Sequence, residues 1–240
     1  LKCDLTPPFL DHASFRIGNQ LFFIRIEDID SNLDTPSNLN GLSDGIRGVF
    51  CGGYTGSNQN TIDYVTISQT GNAVDYGDLT GLTNSGQIAN SSTRGLISGI
   101  SNGTNTIDFI TIATTGNAAD FGDLTVARSG GALGPCCNST RGIFVSGYSG
   151  GDLNVLDFVT MATKGNASDF GDLYFTVSQT GAASSPTRGV IMGGIGGSPR
   201  AATNTTQKIE ILTTGNSVDF GDITTARNGG GGISNAHGGL

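Results

Sequence analysis

The chain has no tryptophan, two methionines, two histidines, and only 12 lysines and arginines among 240 residues. Each scarcity excludes something. Two histidines, His12 and His237 near opposite ends, cannot build a multi-histidine metal centre. A net charge of −8 with so few basic groups argues against a nucleic-acid backbone or an anionic membrane surface as the main partner. No run of about 18 apolar residues occurs, so no segment reads as a membrane-spanning helix. No Lys/Arg-led apolar start reads as a signal peptide. The four cysteines, Cys3, Cys51, Cys136 and Cys137, fit no zinc-ligand spacing. They read as buried thiols or as one disulfide between two of the four, the adjacent Cys136 and Cys137 being badly placed to pair with each other. No histidine lies near that pair in sequence, which leaves a thiol nucleophile unsupported.

What the chain has in excess is glycine, 39 residues, more than twice the usual ~7% and without a collagen period. Thr, Ser and Asn fill most polar positions, a composition suited to strands and tight turns rather than long helices. The excess is organised by a repeat. The stretch 117–124, Asn-Ala-Ala-Asp-Phe-Gly-Asp-Leu, has near-copies at 72–79, 166–173 and 216–223, each led by a glycine. An Arg-Gly pair travels with it at Arg47, Arg94, Arg141 and Arg188, each 47 residues after the last.

Each unit contains a short apolar run after Arg-Gly, a polar turn, a second run (61–67, 106–112, 155–161, 208–212), a Gly-Asn turn and then the acidic-aromatic motif. A further segment, such as 125–132, leads back to Arg-Gly. Glycine in the turns supplies the positive φ that hairpin loops need. In the second run apolar residues fall on both faces (Ile107, Phe109, Ile110, Ile112), as expected of a sheet sandwiched between neighbours. Four short strands at a period of about 47 residues predict an all-β fold, a β-propeller of four-stranded antiparallel blades. The repeats span 46–240 in one domain overall. The segment 1–45 stands outside them; its apolar stretch 15–26 reads as strand and 31–44 as loop. Beyond the fourth unit, the C-terminal residues echo 138–143. We therefore expect five blades, the fifth closed by N- and C-terminal strands, which removes exposed edges.

The order of Gly52-Gly53-Tyr54, Asn-Thr-Ile-Asp-Tyr, Asn-x-x-Asp-aromatic and Leu-Thr-x-Ala-Arg-Ser-Gly resembles the kelch motif. Gly193-Gly194 repeats the diglycine, and Tyr76, Phe121, Phe170 and Phe220 sit where kelch repeats carry tryptophan. Ser98-Gly99 and Ser146-Gly147 depart from it. The Thr-Arg-Gly and Gly-Asn-Ala-x-Asp-Phe-Gly-Asp repeats also look similar to repeats in predicted proteins of marine bacteria and their phages, suspected virion or tail components. The resemblance implies a propeller and a virion or extracellular surface as its location.

Arg47, Arg94, Arg141 and Arg188 recur in every unit, and so do Asp78, Asp123, Asp172 and Asp222. A catalytic site breaks symmetry, so these read as structural: arginines bonded to a neighbouring turn or to the repeat aspartates, carboxylates capping turns. Two carboxylates per unit are too few for a calcium loop. The Asp-Phe-Gly string lacks the glycine-rich phosphate loop of a kinase. What does not repeat is the longer loop 196–207, with Ser198, Pro199 and Arg200, the candidate binding loop, on the rim expected to carry function. We expect no catalytic residues, no metal and no cofactor. The expected function is that of a non-enzymatic structural or recognition module binding other proteins of an assembly, or a host-surface receptor or glycan; a homo-oligomer is compatible with it. The alternative is a lectin-type propeller with sugar sites between blades, which would leave the motif aromatics exposed. A propeller hydrolase is disfavoured, because no asymmetric acid/base pair stands out.

Overall fold

The structure is a computed structural model describing residues 41–100, 103–132, 134 and 136–232, with the backbone of strands at 12–17, 20–25 and residue 40. It divides into two units, Leu1–Pro36 and Ser37–Leu240. In the first, β1 (His12–Ile17) and β2 (Gln20–Arg25) pair antiparallel as a hairpin, so the apolar stretch expected to be strand is strand. The closing role expected of it, and of residues 233–240, lies outside the described residues.

The second unit holds four four-stranded antiparallel sheets. The first is β3 (Asn40–Ser43), β4 (Arg47–Cys51), β5 (Gln59–Thr66) and β6 (Val74–Thr83), and the second is β7 (Gln87–Asn90), β8 (Arg94–Ser98), β9 (Thr106–Thr111) and β10 (Ala119–Asp123). The third is β11 (Cys136–Cys137), β12 (Arg141–Val145), β13 (Val155–Thr160) and β14 (Ser168–Asp172). Next come β15 (Val177–Ser178), β16 (Gly181–Ser184), β17 (Arg188–Met192), β18 (Ile195–Gly196), β19 (Ala201–Ala202), β20 (Thr205–Glu210) and β21 (Val218–Asp222). The fourth sheet is β16-β17-β20-β21, while β15, β18 and β19 form a small three-stranded sheet. Among the described residues there is no helix, and none long and apolar enough to cross a membrane.

Two expectations are corrected. The segment leading back to Arg-Gly ends in the first strand of the following sheet rather than in the fourth strand of its own. Accordingly Asn40–Ser43, expected to be loop, is the first strand of the first sheet, with Leu42 buried. The turn residues that made it look like loop are what close its hairpin: the Asp44 carboxylate accepts from the amides of Ile46 and Arg47 at 2.8 and 2.7 Å. Ser91, Asn138 and Ser185 do the same three residues before their arginines. The second correction concerns the long loop, which is anchored at both ends: Gly196 and Ala201–Ala202 pair in β18 and β19, and Thr205–Gln207 open β20.

Strand length and pairing follow from alternation, but the acidic-aromatic motif interrupts it. Asp120 pairs with Asp108 and Gly122 with Ile107, so Phe121 is skipped. The same register shift skips Tyr76, Phe170 and Phe220. A bulge with glycine at positive φ turns the skipped side chain out of the ladder. Here that re-aims one aromatic per sheet toward the next sheet. The apolar core therefore lies between sheets, in three clusters, one for each adjacent pair.

Candidate functional site

The three seams between successive sheets are built from the same parts. At the second, Phe121 is buried against the third sheet and meets Phe109 edge-to-face with centroids 6.1 Å apart. The backbone around it bonds to the next sheet's Gly-Asn turn: Gly165 donates to the Phe121 carbonyl at 2.9 Å, Ala167 to that of Asp123 at 2.7 Å, and the Asn166 side chain accepts from the Asp123 amide at 3.2 Å. The first and third seams repeat this set through Tyr76–Asp78 with 116–118 and Phe170–Asp172 with 215–217. Approach is so close at the third that a Cβ on Gly171 would fall 2.6 Å from the Gly215 carbonyl.

The repeat arginines belong to these seams. Arg47, Arg94 and Arg141 donate to the carbonyls of Ile112, Met161 and Ile211 in the following sheet at 3.0, 2.7 and 3.0 Å. Their guanidinium groups lie over Tyr64, Phe109 and Phe158 at 4.8, 5.1 and 4.9 Å. Backbone carbonyls and aromatic faces, rather than the repeat aspartates, are thus their partners. Asp78, Asp123 and Asp172 act through their amides and carbonyls. The turn-capping carboxylates are the earlier ones of the motif, Asp169 and Asp219, which accept from the amides of Gly171 and Gly221 at 3.1 Å.

Sequence reasoning missed the buried acids that fasten the first two seams and the glutamine that replaces them at the third. Asp108 accepts from the Thr80 amide and hydroxyl at 2.8 and 2.7 Å. Burial pushes its carboxyl above the usual range, and the Thr80 hydrogen bonds oppose that. Asp157 accepts from the Thr125 hydroxyl at 2.6 Å and from Arg128 at 2.6 Å, both charged side chains being fully buried. Desolvation lowers the Arg128 pKa and Asp157 raises it. In the fourth sheet the position belongs to Gln207, which accepts from the Tyr174 amide at 2.7 Å. The signal was present, since Asp63, Asp108 and Asp157 share one place in the repeat. The partner, however, lies in the preceding unit.

The fourth sheet differs on the face it would turn to a successor. Phe220 is 52% exposed, against 3, 2 and 2% for Tyr76, Phe121 and Phe170. Lys208 replaces the stacking aromatic, and Arg188 pairs with Glu210 at 3.3 Å. Asp222, like Phe220, is exposed.

The candidate binding loop sits on the opposite rim from the Gly-Asn turns. Arg200 donates to both Asp152 oxygens at 2.8 and 3.0 Å and to Ser178 at 2.9 Å, and lies 5.6 Å from the Tyr148 ring centroid. The Asp152 hydrogen bond raises its pKa. The loop is therefore latched to the third sheet. Leu173 donates to the Asn154 carbonyl, which brings Tyr174, 71% exposed, to the same rim as Tyr148, 44% exposed. Ser198 and Pro199 lie in the turn between β18 and β19.

No protein-family model matches the chain, and no curated protein matches it.

Among the described residues no three of His, Cys, Asp and Glu stand together as a metal site. Cys51, Cys136 and Cys137 are free and buried; burial pushes the thiols of Cys51 and Cys137 up to about 12 and about 11 and that of Cys136 up as well. They are poor nucleophiles in the folded state. Cys3 lies outside the described residues.

Proposed function

We propose that the four sheets are blades of a kelch-like β-propeller, and that the protein is a non-enzymatic structural and recognition module of an extracellular or virion surface. Support for the propeller comes from the short first strands, which meet one another: β3 with β7, β7 with β11, β11 with β16. Strands converging in this way mark the inner edges of blades around an axis. The buried acids Asp108 and Asp157 are committed to fastening one blade to the next.

The observation that carries the recognition reading is the rim cluster of Tyr148, Asp152, Tyr174 and Arg200. Tyr148, Tyr174 and Arg200 are exposed, Arg200 lies in the insertion that the other units lack, and the Arg200–Asp152 fork holds its guanidinium beside the Tyr148 ring. Two exposed rings and a pre-positioned ion pair give a partner apolar area and polar registration at small entropic cost. A protein or glycan surface suits this chemistry. Sugar sites between blades are not supported, because Tyr76, Phe121 and Phe170 are core.

The test is binding of the intact chain to host-cell surfaces and to a glycan array, with a Tyr148→Ala/Tyr174→Ala double variant alongside. Loss of binding in the variant supports the rim. Binding unaffected by it, or none at all, removes the recognition reading. Mass spectrometry of purified particles that lacks this chain removes the virion assignment.

A further inference from the structure

We infer that Asp108 is a proton-binding latch between the first and second sheets, and that this seam tightens as its surroundings turn mildly acidic. The inference stands independently of the rim cluster. It rests on how the three internal seams treat the same buried position.

At the second seam Asp157 accepts from the Thr125 hydroxyl and from the Arg128 guanidinium, each at 2.6 Å, so its negative charge is balanced where it is buried. At the third, Gln207 accepts from the Tyr174 amide and the Ser217 hydroxyl, each at 2.7 Å, and carries no charge at any pH. At the first, Asp108 is fully buried, and among the described residues its side chain bonds only the Thr80 amide and hydroxyl. It has neither the counter-ion of the second seam nor the permanent neutrality of the third.

The groups that face this seam do not supply the missing charge. Thr83 matches Arg128 in the repeat, and its hydroxyl donates to the Gly99 carbonyl at 3.0 Å. Arg47 on β4 donates to the Ile112 carbonyl and lies over Tyr64 of β5. Cys51, also on β4, is buried with its thiol pushed up to about 12, so it stays neutral. The Tyr76 hydroxyl on β6 donates to the carbonyls of Thr111 and Thr114. Asp120 on β10 stands opposite Asp108 in the ladder, where a second carboxylate disfavours the charged form further.

The two Thr80 groups suit a neutral acid as well as a carboxylate. The amide can only donate, and it meets Oδ2 at 2.8 Å. The hydroxyl can donate or accept, and it meets Oδ1 at 2.7 Å. A proton on Oδ1 is therefore donated to the Thr80 hydroxyl oxygen, while Oδ2 still accepts from the amide. Both hydrogen bonds survive, and the uncompensated buried charge is gone. At Asp157 the same proton would strip Arg128 of its counter-ion.

Burial raises the Asp108 carboxyl above its ordinary range, with the Thr80 hydrogen bonds opposing. The stability such a group contributes is complete below the ordinary carboxylate range. It is lost as pH rises from there through the raised folded value. The seam thus holds best in mild acid and least well at neutral pH.

Denaturant unfolding of the full chain from about pH 4 to about pH 7.5, wild type against Asp108→Asn, tests the inference. Asparagine reproduces the neutral acid, with an acceptor for the Thr80 amide and a donor for its hydroxyl. The two proteins should be equally stable near pH 4. At pH 7.5 the folding equilibrium of the variant should exceed that of wild type several-fold, the ratio growing with pH. A ratio that is flat, or that falls as pH rises, overturns the inference. Asp157→Asn leaves Arg128 facing a neutral group and should be less stable than wild type at pH 7.5. A gain there would show that the missing counter-ion is not the cause, and also overturns it. Carboxyl-carbon NMR of the wild-type chain gives a reading that needs no variant to fold. An Asp108 midpoint above the ordinary carboxylate range supports the latch, and one within or below that range overturns it.

Discussion

The seam between the second and third sheets and the free face of the fourth are built from nearly the same residues and differ in what covers them. Phe121 and Phe220, Gly122 and Gly221, Arg128 and Arg227 occupy matching places, with the same bulge and the same register. One set is buried and bonded; the other faces solvent. The acidic-aromatic motif is therefore an interface motif. It shapes a strand only as a means of presenting an aromatic, a close-approach glycine and a pair of backbone groups to a neighbour. Paired substitutions at matching positions separate what the strand needs from what the neighbour needs.

The widest gap should lie at the charged positions. Asp157→Ala leaves the Arg128 guanidinium fully buried without its counter-ion, and should cost about 3–5 kcal/mol in denaturant unfolding. Arg227→Ala removes an exposed side chain and should change stability by no more than about 0.5 kcal/mol. A second pair tests the aromatics. Phe121→Ala opens a cavity in the seam and should cost about 3 kcal/mol or more, whereas Phe220→Ala should cost less than about 1 kcal/mol. Equal losses at Phe121 and Phe220 would mean that the bulged aromatic stabilises its own sheet, and would break the comparison.

Much of this architecture was legible in the sequence because the repeat is regular. Period, strand number and turn chemistry all followed from Arg-Gly, the Gly-Asn turns and the acidic-aromatic motif. The sheet boundaries did not, because Asn40–Ser43 and Cys136–Cys137 are too short and too polar or small to announce strands; they are defined by the partner they pair with. The arginines were read as structural, but their acceptors are backbone carbonyls in another unit, which no local pattern encodes. The rim was legible only in part. Arg200 stood out by its place in the longest loop, while Asp152 and Tyr148, which fix and flank it, lie in the preceding unit, and Tyr148 reads in the sequence only as the counterpart of Tyr54.

A third pair sharpens the role of the motif glycine. Gly171 and Gly221 both have positive φ, 139° and 121°, so alanine strains the backbone at either. At Gly171 the new methyl also meets the Gly215 carbonyl. Gly171→Ala should therefore cost about 2–3 kcal/mol and Gly221→Ala about 1 kcal/mol. The excess measures the seam alone, because the strain common to both cancels.

The smallest contrast is at the repeat arginines, and it is the most discriminating. Arg141 bonds the Ile211 carbonyl across the seam and stacks on Phe158. Arg188 holds Glu210 within its own sheet, both groups half in water. Removing Arg141 gives up a charge-assisted hydrogen bond and a partly desolvated cation–π contact, together about 1–2 kcal/mol. Removing Arg188 gives up a surface pair, about 0–0.5 kcal/mol, which salt should abolish. The denaturation midpoint of Arg141→Ala should therefore fall relative to wild type by a similar margin at low and high salt. Any Arg188→Ala deficit should vanish as salt rises. An Arg188→Ala loss as large as that of Arg141→Ala, and insensitive to salt, would show that the arginine works within its own hairpin, and the repeat would then have to be read as four self-sufficient sheets rather than as one interface written four times.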